Sequence, residues 1–435
     1  MTSRLGATDR EILGLAIPAL GALAIDPLLT LVDTAFVARL GTVELAALGV
    51  CASILTLAFF AFNFLSFVTT PLVARSLGQG DKESAGHYVA TVLLLALGLG
   101  VVMTVLVEAL APRLVDLMGA EGEVAAEAVG YLRIRATATI AVLVVTAGHG
   151  AFRGHKDTRT PLKVAIGVNL VNLVLDPILI FGLDWGLEGA AVATAFAQWI
   201  GAAWFLRLIL TRGMARRPRR FADSVPALLT LGRNGGMLII RTAFLLAAFT
   251  FAAATATRIG TVEIAAHQLV AQLFLLSAML ADALEVAAQA MVGSETGRGD
   301  EQSLHDLSRR LLGWGVAVGL VLFVVVGLGR HGLGLIASDE RVGVLAVETA
   351  GVVAFLEPLA AVVFVADGIF VGLLAIGTMA LSTATGSVAA IALMHWSPLG
   401  ETLTGIWLAL GVFLLLRGLV FVAGYRRAVS TAVRS

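Results

Sequence analysis

An all-helical integral membrane protein, with twelve transmembrane helices in two pseudo-symmetric six-helix bundles, is the architecture predicted for this chain of 435 residues. Composition is the first reason. The chain is 58% hydrophobic and only 14% charged, against roughly 25% charged residues in an ordinary soluble protein. Apolar runs of about 20 residues, the length that crosses a bilayer, recur from end to end. The second reason is an internal repeat. RLGTVELAA at Arg39 to Ala47 returns as RIGTVEIAA at Arg258 to Ala266. The register then holds without a gap to GQGD (Gly78 to Asp81) and GRGD (Gly297 to Asp300). About 14 of roughly 43 aligned positions are identical. Two similar halves in a membrane protein are the pattern of a transporter whose pathway runs between them.

The spans follow in order. The first two, 12–38 and 44–75, flank the RLGT turn, and the third, 84–110, follows GQGD. The fourth, 126–152, ends at the basic loop FRGHKDTRTPLK (Phe152 to Lys163). The fifth and sixth, 159–183 and 186–212, flank the short GLDWGLEG (Gly182 to Gly189). TRGMARRPRRFADS (Thr211 to Ser224), the most charged segment, carries the Arg216 to Arg220 cluster and connects two lobes. The seventh and eighth, 232–257 and 262–294, flank RIGT, and the ninth, 308–330, follows GRGD. The last three are 342–370, 373–395 and 402–424. The expected domains are an N-lobe at 1–212, a cytoplasmic linker at 213–231 and a C-lobe at 232–435. Spans 44–75 and 262–294 exceed the hydrocarbon thickness and are expected to tilt or protrude.

Loop charge sets orientation. With both termini cytoplasmic, about 20 Lys/Arg fall inside and about 7 outside. Each lobe then starts inside and has six spans, so the halves are parallel repeats about an axis along the membrane normal. The N-terminus lacks a signal-peptide cleavage pattern, and its first apolar run is long enough to remain as a helix. The expected location is the cell's inner membrane, as a multi-pass monomer in contact with bilayer lipid. A net charge of zero implies no nucleic-acid partner. The only cysteine, Cys51, sits in an apolar run as a small core residue.

Carboxylates inside a membrane are expensive and need a partner or a task. Span one carries Asp26 and Asp33, seven residues apart, on one helix face about 10 Å from each other. Pro18 and Pro27 interrupt its hydrogen-bond ladder and make it a hinge. Asp33 aligns with Ala252 in the repeat, so this acid belongs to the first half alone, and span one offers it no basic partner at its depth. Asp26 either shares that function or caps backbone freed by Pro27. In span five, Asn169, Asn172 and Asp176 follow helical spacing, with Asn172 and Asp176 as an i,i+4 pair. The repeat equivalents, Ala392 to His395, contain no acid. Spans one and five run the same way, and both acids lie in the outer half, so they are expected to share one site. Two carboxyls brought close favour holding a proton between them, as a proton-coupled carrier requires. Helix-packing glue is the competing reading of Asn172 and Asp176. Thr194 in span six adds a hydroxyl.

The second lobe has a different polar set: Arg241 in span seven, and Asp282 and Glu285 in span eight. Folding the hairpin about Ile259 brings Arg241 within a turn of Asp282, which predicts an ion pair and leaves Glu285 to line a polar cavity. His267, Gln268, Gln272 and Gln289 make span eight's face polar, as a cavity wall would be. Span ten adds Glu357, and Asp367 is expected near its cytoplasmic end. No metal-ligand cluster, nucleophile elbow or phosphate-binding glycine loop is present, which argues against an enzyme and against ATP-driven transport. No cofactor is expected beyond an ion gradient.

LVDTAFVARLGTVELAALGV, PLVARSLGQGD, FRGHKDTRTP, NLVNLVLDPILIFGLDWGLEGAAVAT and FVADGIFVG together resemble the multidrug and toxic compound extrusion (MATE) family, and VDTAF, the IAAHQL to AAQAMVG stretch and DGIF resemble its DNA-damage-inducible F branch. The resemblance covers nearly the whole chain. It implies two six-helix bundles, a V-shaped central cavity, alternating access, and export of organic, often cationic or amphipathic, compounds against protons or sodium. It gives Asp33 the place of the span-one acid implicated in cation coupling, and Asn172, Asp176 and Thr194 that of the N-lobe polar cluster. Asp367 takes the place of a span-ten acid that another branch uses for cation binding. That branch also uses a glutamate in span seven, where this chain has no acid, which puts a second-lobe sodium site in doubt unless Asp282 or Glu285 substitutes. The leading reading is a proton-coupled exporter with Asp33 and Asp176 as coupling site. The alternatives are a sodium-coupled exporter and a flippase for lipid or lipid-linked precursors. Sparse basic residues, Arg241 with Arg133 and Arg135, disfavour the flippase.

Overall fold

The computed structural model describes residues 6–216, 221–337 and 339–434. The linker arginines beyond Arg216 lie outside the described residues. The helices are α1 (Ala7–Val37), α2 (Thr42–Phe62), α3 (Phe64–Gly78), α4 (Lys82–Leu117), α5 (Gly122–Ala136), α6 (Thr139–Gly154), α7 (Arg159–Pro177), α8 (Gly186–Thr211), α9 (Phe221–Ile259), α10 (Thr261–Arg298), α11 (Glu301–Gly329), α12 (His331–Ile336), α13 (Glu340–Gly372), α14 (Ile376–Trp396) and α15 (Leu403–Arg434). No strand occurs among the described residues. Ten helices are long and apolar enough to cross a bilayer, and α5 with α6, bent by 51°, makes an eleventh. The α2–α3 pair, broken at Asn63, fills the place of the second expected span.

The repeated phrases turn out to be helix ends. Gly41 and Gly260 each precede a helix whose third residue, Glu44 or Glu263, folds its carboxylate back over the glycine. A Cβ at Gly41 would lie 2.5 Å from the Glu44 carboxylate oxygen, so the glycine leaves room for half of a capping box. The aspartates of GQGD and GRGD are N-caps. Asp81 accepts from the Ser84 amide at 2.9 Å, and Asp300 accepts from the Gln302 and Ser303 amides at 3.0 and 3.2 Å.

The chain packs as two compact units. One is Gly21–Gly232, and the other joins the chain from Arg233 onward to the leading part of α1, through Leu20. Helix α1 is therefore shared, whereas the sequence halves place it wholly in the first lobe. The reason is a polar anchor. Asp9, almost fully buried, accepts from Arg310 Nε at 2.6 Å and from Trp314 Nε1 at 3.0 Å, both on α11. The division falls between Pro18 and Pro27, and α1 stays continuous through both.

In the first unit, α3 packs on α4 and α6, α5 on α2 and α8, and α7 on α8. One apolar cluster gathers Val37, Cys51, Val107, Tyr131, Leu132, Ile180 and Leu187, and another gathers Val73, Phe152, Val164, Phe205 and Ile209. In the second unit, α13 is central, packed on α10, α11 and α15. Its approach to α10 needs glycine. A Cβ at Gly368 would lie 2.5 Å from the Glu285 carbonyl oxygen and 2.9 Å from its Cα.

Candidate functional site

Helix α7 ends at Pro177, which lacks an amide proton, and the chain continues as one wide π turn, Ile178–Gly182. Gly189 at the start of α8 lies against that turn; a Cβ there would meet the Leu179 carbonyl carbon at 2.8 Å. Asp176 is thereby fixed at the C-terminal end of α7, with no exposed surface. Its Oδ1 accepts from Asn172 Nδ2 at 3.2 Å, and the same amide reaches Thr194 Oγ1 of α8 at 3.5 Å. Thr194 in turn donates to the Ala190 carbonyl at 2.9 Å.

Helix α1 lies beside α7 in a register set by two polar rungs. In the first, Asn169 Nδ2 donates to Asp26 Oδ1 at 3.1 Å. In the second, the Asp33 carboxyl meets that of Asp176. Both rungs join residues 143 apart, because the seven-residue spacing on α1 matches that on α7. Asp26 is therefore held by a side chain of α7 and does not cap the backbone freed by Pro27. Thr30 and Thr34 donate back to the Asp26 and Thr30 carbonyls at 3.0 and 2.7 Å, a pattern that bends helices.

Sequence reasoning passed over Tyr131 and counted Arg135 only among the sparse basic residues. Arg135, on the last turn of α5, is nine-tenths buried, and its Nε and Nη1 have no hydrogen-bond partner. It faces Asp33 electrostatically and lies one helical turn beyond Tyr131, which in turn faces Asp33 and Asp176. Asp33 Oδ1 and Asp176 Oδ2 are also buried without a partner. The signal was present, since an ionisable residue within an apolar span is a functional candidate.

The second unit requires two corrections. Arg241 of α9 does not pair with Asp282; its Nη2 donates to Asp367 Oδ2 of α13 at 2.9 Å. A hairpin count considers α9 and α10 alone, whereas Gly368 lets α13 press onto α10 and bring its own carboxylate to the arginine. Asp367 does lie near the end of α13, as expected, but not where a charge is cheap. It is wholly buried, and its Oδ2 also accepts from Arg417 of α15. Arg417, absent from the sequence reading, is 1% exposed and lies over the Phe413 ring at 5.1 Å. Asp282 and Glu285 are charge neighbours of this group. Glu285 accepts from Gln289 Nε2 at 3.0 Å, and Glu357 accepts from Ser277 Oγ at 2.5 Å. Gln272 and Gln268 are exposed, and Gln272 lies about 15 Å along α10 from Asp282.

A family model described as MatE matches residues 18–178 and 238–396. Protein DETOXIFICATION 44, chloroplastic, of Arabidopsis thaliana is 34% identical over 427 residues, spanning 95% of this chain and 81% of that protein. The chain belongs to the MATE family. It is thus a multi-pass membrane transporter of the multidrug and toxic compound efflux class. DNA damage-inducible protein F of Escherichia coli K12 is 29% identical over 435 residues, spanning 97% of this MATE protein and 93% of the relative. In fold, the crystal structure of the Vibrio cholerae MATE transporter VcmN in its bent form superposes with a TM-score of 0.91 at 20% identity, covering 98% of each chain. The seventh span without an acid, a departure from the pattern of another branch, has its counterpart in space. This MATE chain presents Arg241 to Asp367 instead.

Proposed function

We propose that this protein exports organic cationic or amphipathic compounds by antiport against protons, with the Asp33–Asp176 pair as coupling site and Asn172, Thr194 and Asp26 in support. The observation that carries the reading is the second rung between α1 and α7, two carboxyls in contact with partnerless buried oxygens. Both cannot stay ionised at such range without large repulsion, and one shared proton relieves it. In the outward-facing state the pair takes that proton. Neutralisation lets α1 bend about Pro18 and Pro27 and displaces bound substrate outward. Reorientation then releases the proton to the cytoplasm. The protein works as a monomer in the inner membrane, with both termini cytoplasmic.

Sodium coupling is favoured over protons by one feature, the four oxygen-bearing side chains of Asp33, Asn172, Asp176 and Thr194 in one place. A flippase gains little from the arginines, because Arg241 and Arg417 are already held by Asp367. The test is transport in proteoliposomes under an imposed proton or sodium gradient, with organic cations, bile-salt-like anions and lipids as substrates. A proton gradient alone should drive efflux, and Asp33→Asn should abolish it while leaving the protein monodisperse. Efflux driven by sodium with no response to pH, or full activity in Asp33→Asn, refutes the proposal.

A further inference from the structure

Arg135 is a buried cation with an incomplete set of hydrogen bonds. Its Nε and Nη1 make no hydrogen bond, and it forms no ion pair among the described residues. The charged and titratable groups around the pair are few. Asp33 comes from α1, Asp176 from α7, Tyr131 and Arg135 from α5, and Cys51 from α2. Tyr131 and Cys51 are neutral at ordinary pH, and Cys51 is further occupied in donating to the Ala128 carbonyl at 3.2 Å. The charge balance of the site therefore rests on two carboxyls and one guanidinium.

A desolvated cluster is stable near neutrality. With Arg135 in place, two carboxylates and one guanidinium are neutralised by a single further monovalent cation. Without it, two are needed. An oxygen-lined site with a doubly negative charge is also one that holds a sodium ion well, whereas a fixed guanidinium nearby repels that ion. A proton bonded to a carboxyl is far less penalised, because it removes the charge that Arg135 would oppose or attract. We infer that Arg135 is the specificity-determining residue of this site: the end of α5 packs in one cluster with Val37 of α1 and Ile180 of the π turn, which holds a permanent cation within electrostatic reach of Asp33, the partner of Asp176, so one proton completes the charge balance and sodium is excluded. This rests on the coupling role given above to Asp33 and Asp176. Arg135 acts through these carboxyls and is a positioning residue for the coupling ion.

The test compares the full-length protein with Arg135→Gln and Arg135→Lys, reading radiolabelled sodium binding in detergent and the proton-to-substrate ratio in proteoliposomes. Wild type and Arg135→Lys should bind sodium no better than Asp33→Asn does. Arg135→Gln should bind it at least about tenfold more tightly than wild type, as removal of a like charge within electrostatic range predicts, and its efflux should become responsive to a sodium gradient. A merely structural arginine would lower thermal stability without creating sodium binding. Equal sodium affinity in well-folded Arg135→Gln and wild type overturns the inference. So does wild-type protein that binds sodium in a manner lost in Asp33→Asn, a result that needs no arginine variant to fold. Coupled efflux surviving in Asp33→Asn sinks the coupling site itself, whereas its loss in Asp33→Asn together with an inert Arg135→Gln sinks only the role of Arg135.

Discussion

Replacing Asp367 by Asn tests the most deeply buried ion cluster among the described residues. The carboxylate is completely enclosed and satisfies two arginines through one oxygen, Arg241 at 2.9 Å and Arg417 of α15. Asparagine has nearly the same shape and removes only the charge. Arg417, 1% exposed, then has no ion partner of its own. Removing one member of a buried pair costs about 3–5 kcal/mol, most of it the penalty of the stranded charge. Glu285 faces Arg417 from α10 and takes over part of the role, which puts the expected loss at the low end, about 3 kcal/mol. In detergent this should lower the melting temperature by about 3 °C for a chain of this length, followed by tryptophan fluorescence or by loss of monodispersity on heating. The double substitution Asp367→Leu with Arg417→Met removes the fully buried pair and leaves Arg241 with Asp282 as its charge neighbour, so it should recover part of the loss. A single variant that melts within about 1 °C of wild type, where ΔΔG of this size predicts more, refutes the claim that this pair is a buried structural ion pair.

Gly368→Ala should destabilise by about 1–3 kcal/mol, because its Cβ would meet Glu285 backbone atoms that cannot move aside; thermal unfolding of the variant reads this. Asp157, in the loop between α6 and α7, should make the protein acid-sensitive. Burial pushes its carboxyl up, but hydrogen bonds from Thr160 and Arg212 outweigh that and hold it below the usual range. A depressed folded-state value means stability that is complete above the ordinary aspartate range and lost as pH falls through the folded value. Asp157→Asn should lower stability at neutral pH and flatten its decline between about pH 5 and the acid limit, as thermal melts at stepped pH would show.

The Asp33–Asp176 site was legible because three independent cues agreed. Each acid lacked a counterpart in the other half, the two spans were expected to run in the same direction, and both acids were expected in the outer half. What one sequence lacks is rotation. Nothing in the residues alone says that α1 turns Asp33 towards α7, and the rung register appears only when the helices are packed. Arg135 was visible as a charge near the start of an expected span. Its role was hidden by the break after Ala136, which ends α5 and bends the chain by 51°. Asp367 was misread because counting from the helix end measures depth along one axis. Its burial is lateral, imposed by α10 and α15. Arg417 carried a readable signal, a lone arginine in LLLRGLV, and the surplus of acids among the second-half spans called for such a partner. Eleven of the twelve expected spans are met by ten long apolar helices and the bent α5–α6 pair, and the α2–α3 pair, broken at Asn63, occupies the place of the twelfth.

The phrase repeated in the two halves codes for helix ends, so it says where helices start and nothing about what they carry. The halves differ in how their buried arginines are used. In the second unit Arg241 and Arg417 both donate to Asp367 Oδ2, so that carboxylate has two cationic partners, although Asp367 Oδ1 and both Nε atoms stay unbonded. In the first, Arg135 has no ion pair among the described residues, and Asp33, which it faces, and Asp176 each keep one partnerless oxygen. A carboxylate already countered by two guanidiniums offers a travelling cation little, whereas two carboxyls with no ion pair of their own among the described residues leave charge for one to balance. It follows that the Asp367→Leu and Arg417→Met double variant, once refolded stability is restored, should retain proton-driven efflux within about threefold of wild type, a loss of under about 1 kcal/mol. Asp33→Asn, with its fold intact, should lose at least about a hundredfold, the scale expected when a group that acts in the ion-dependent step is removed. Measured side by side in the same vesicles, equal losses from the two changes would mean that coupling is shared between the units, and the assignment of the ion to the first would fall.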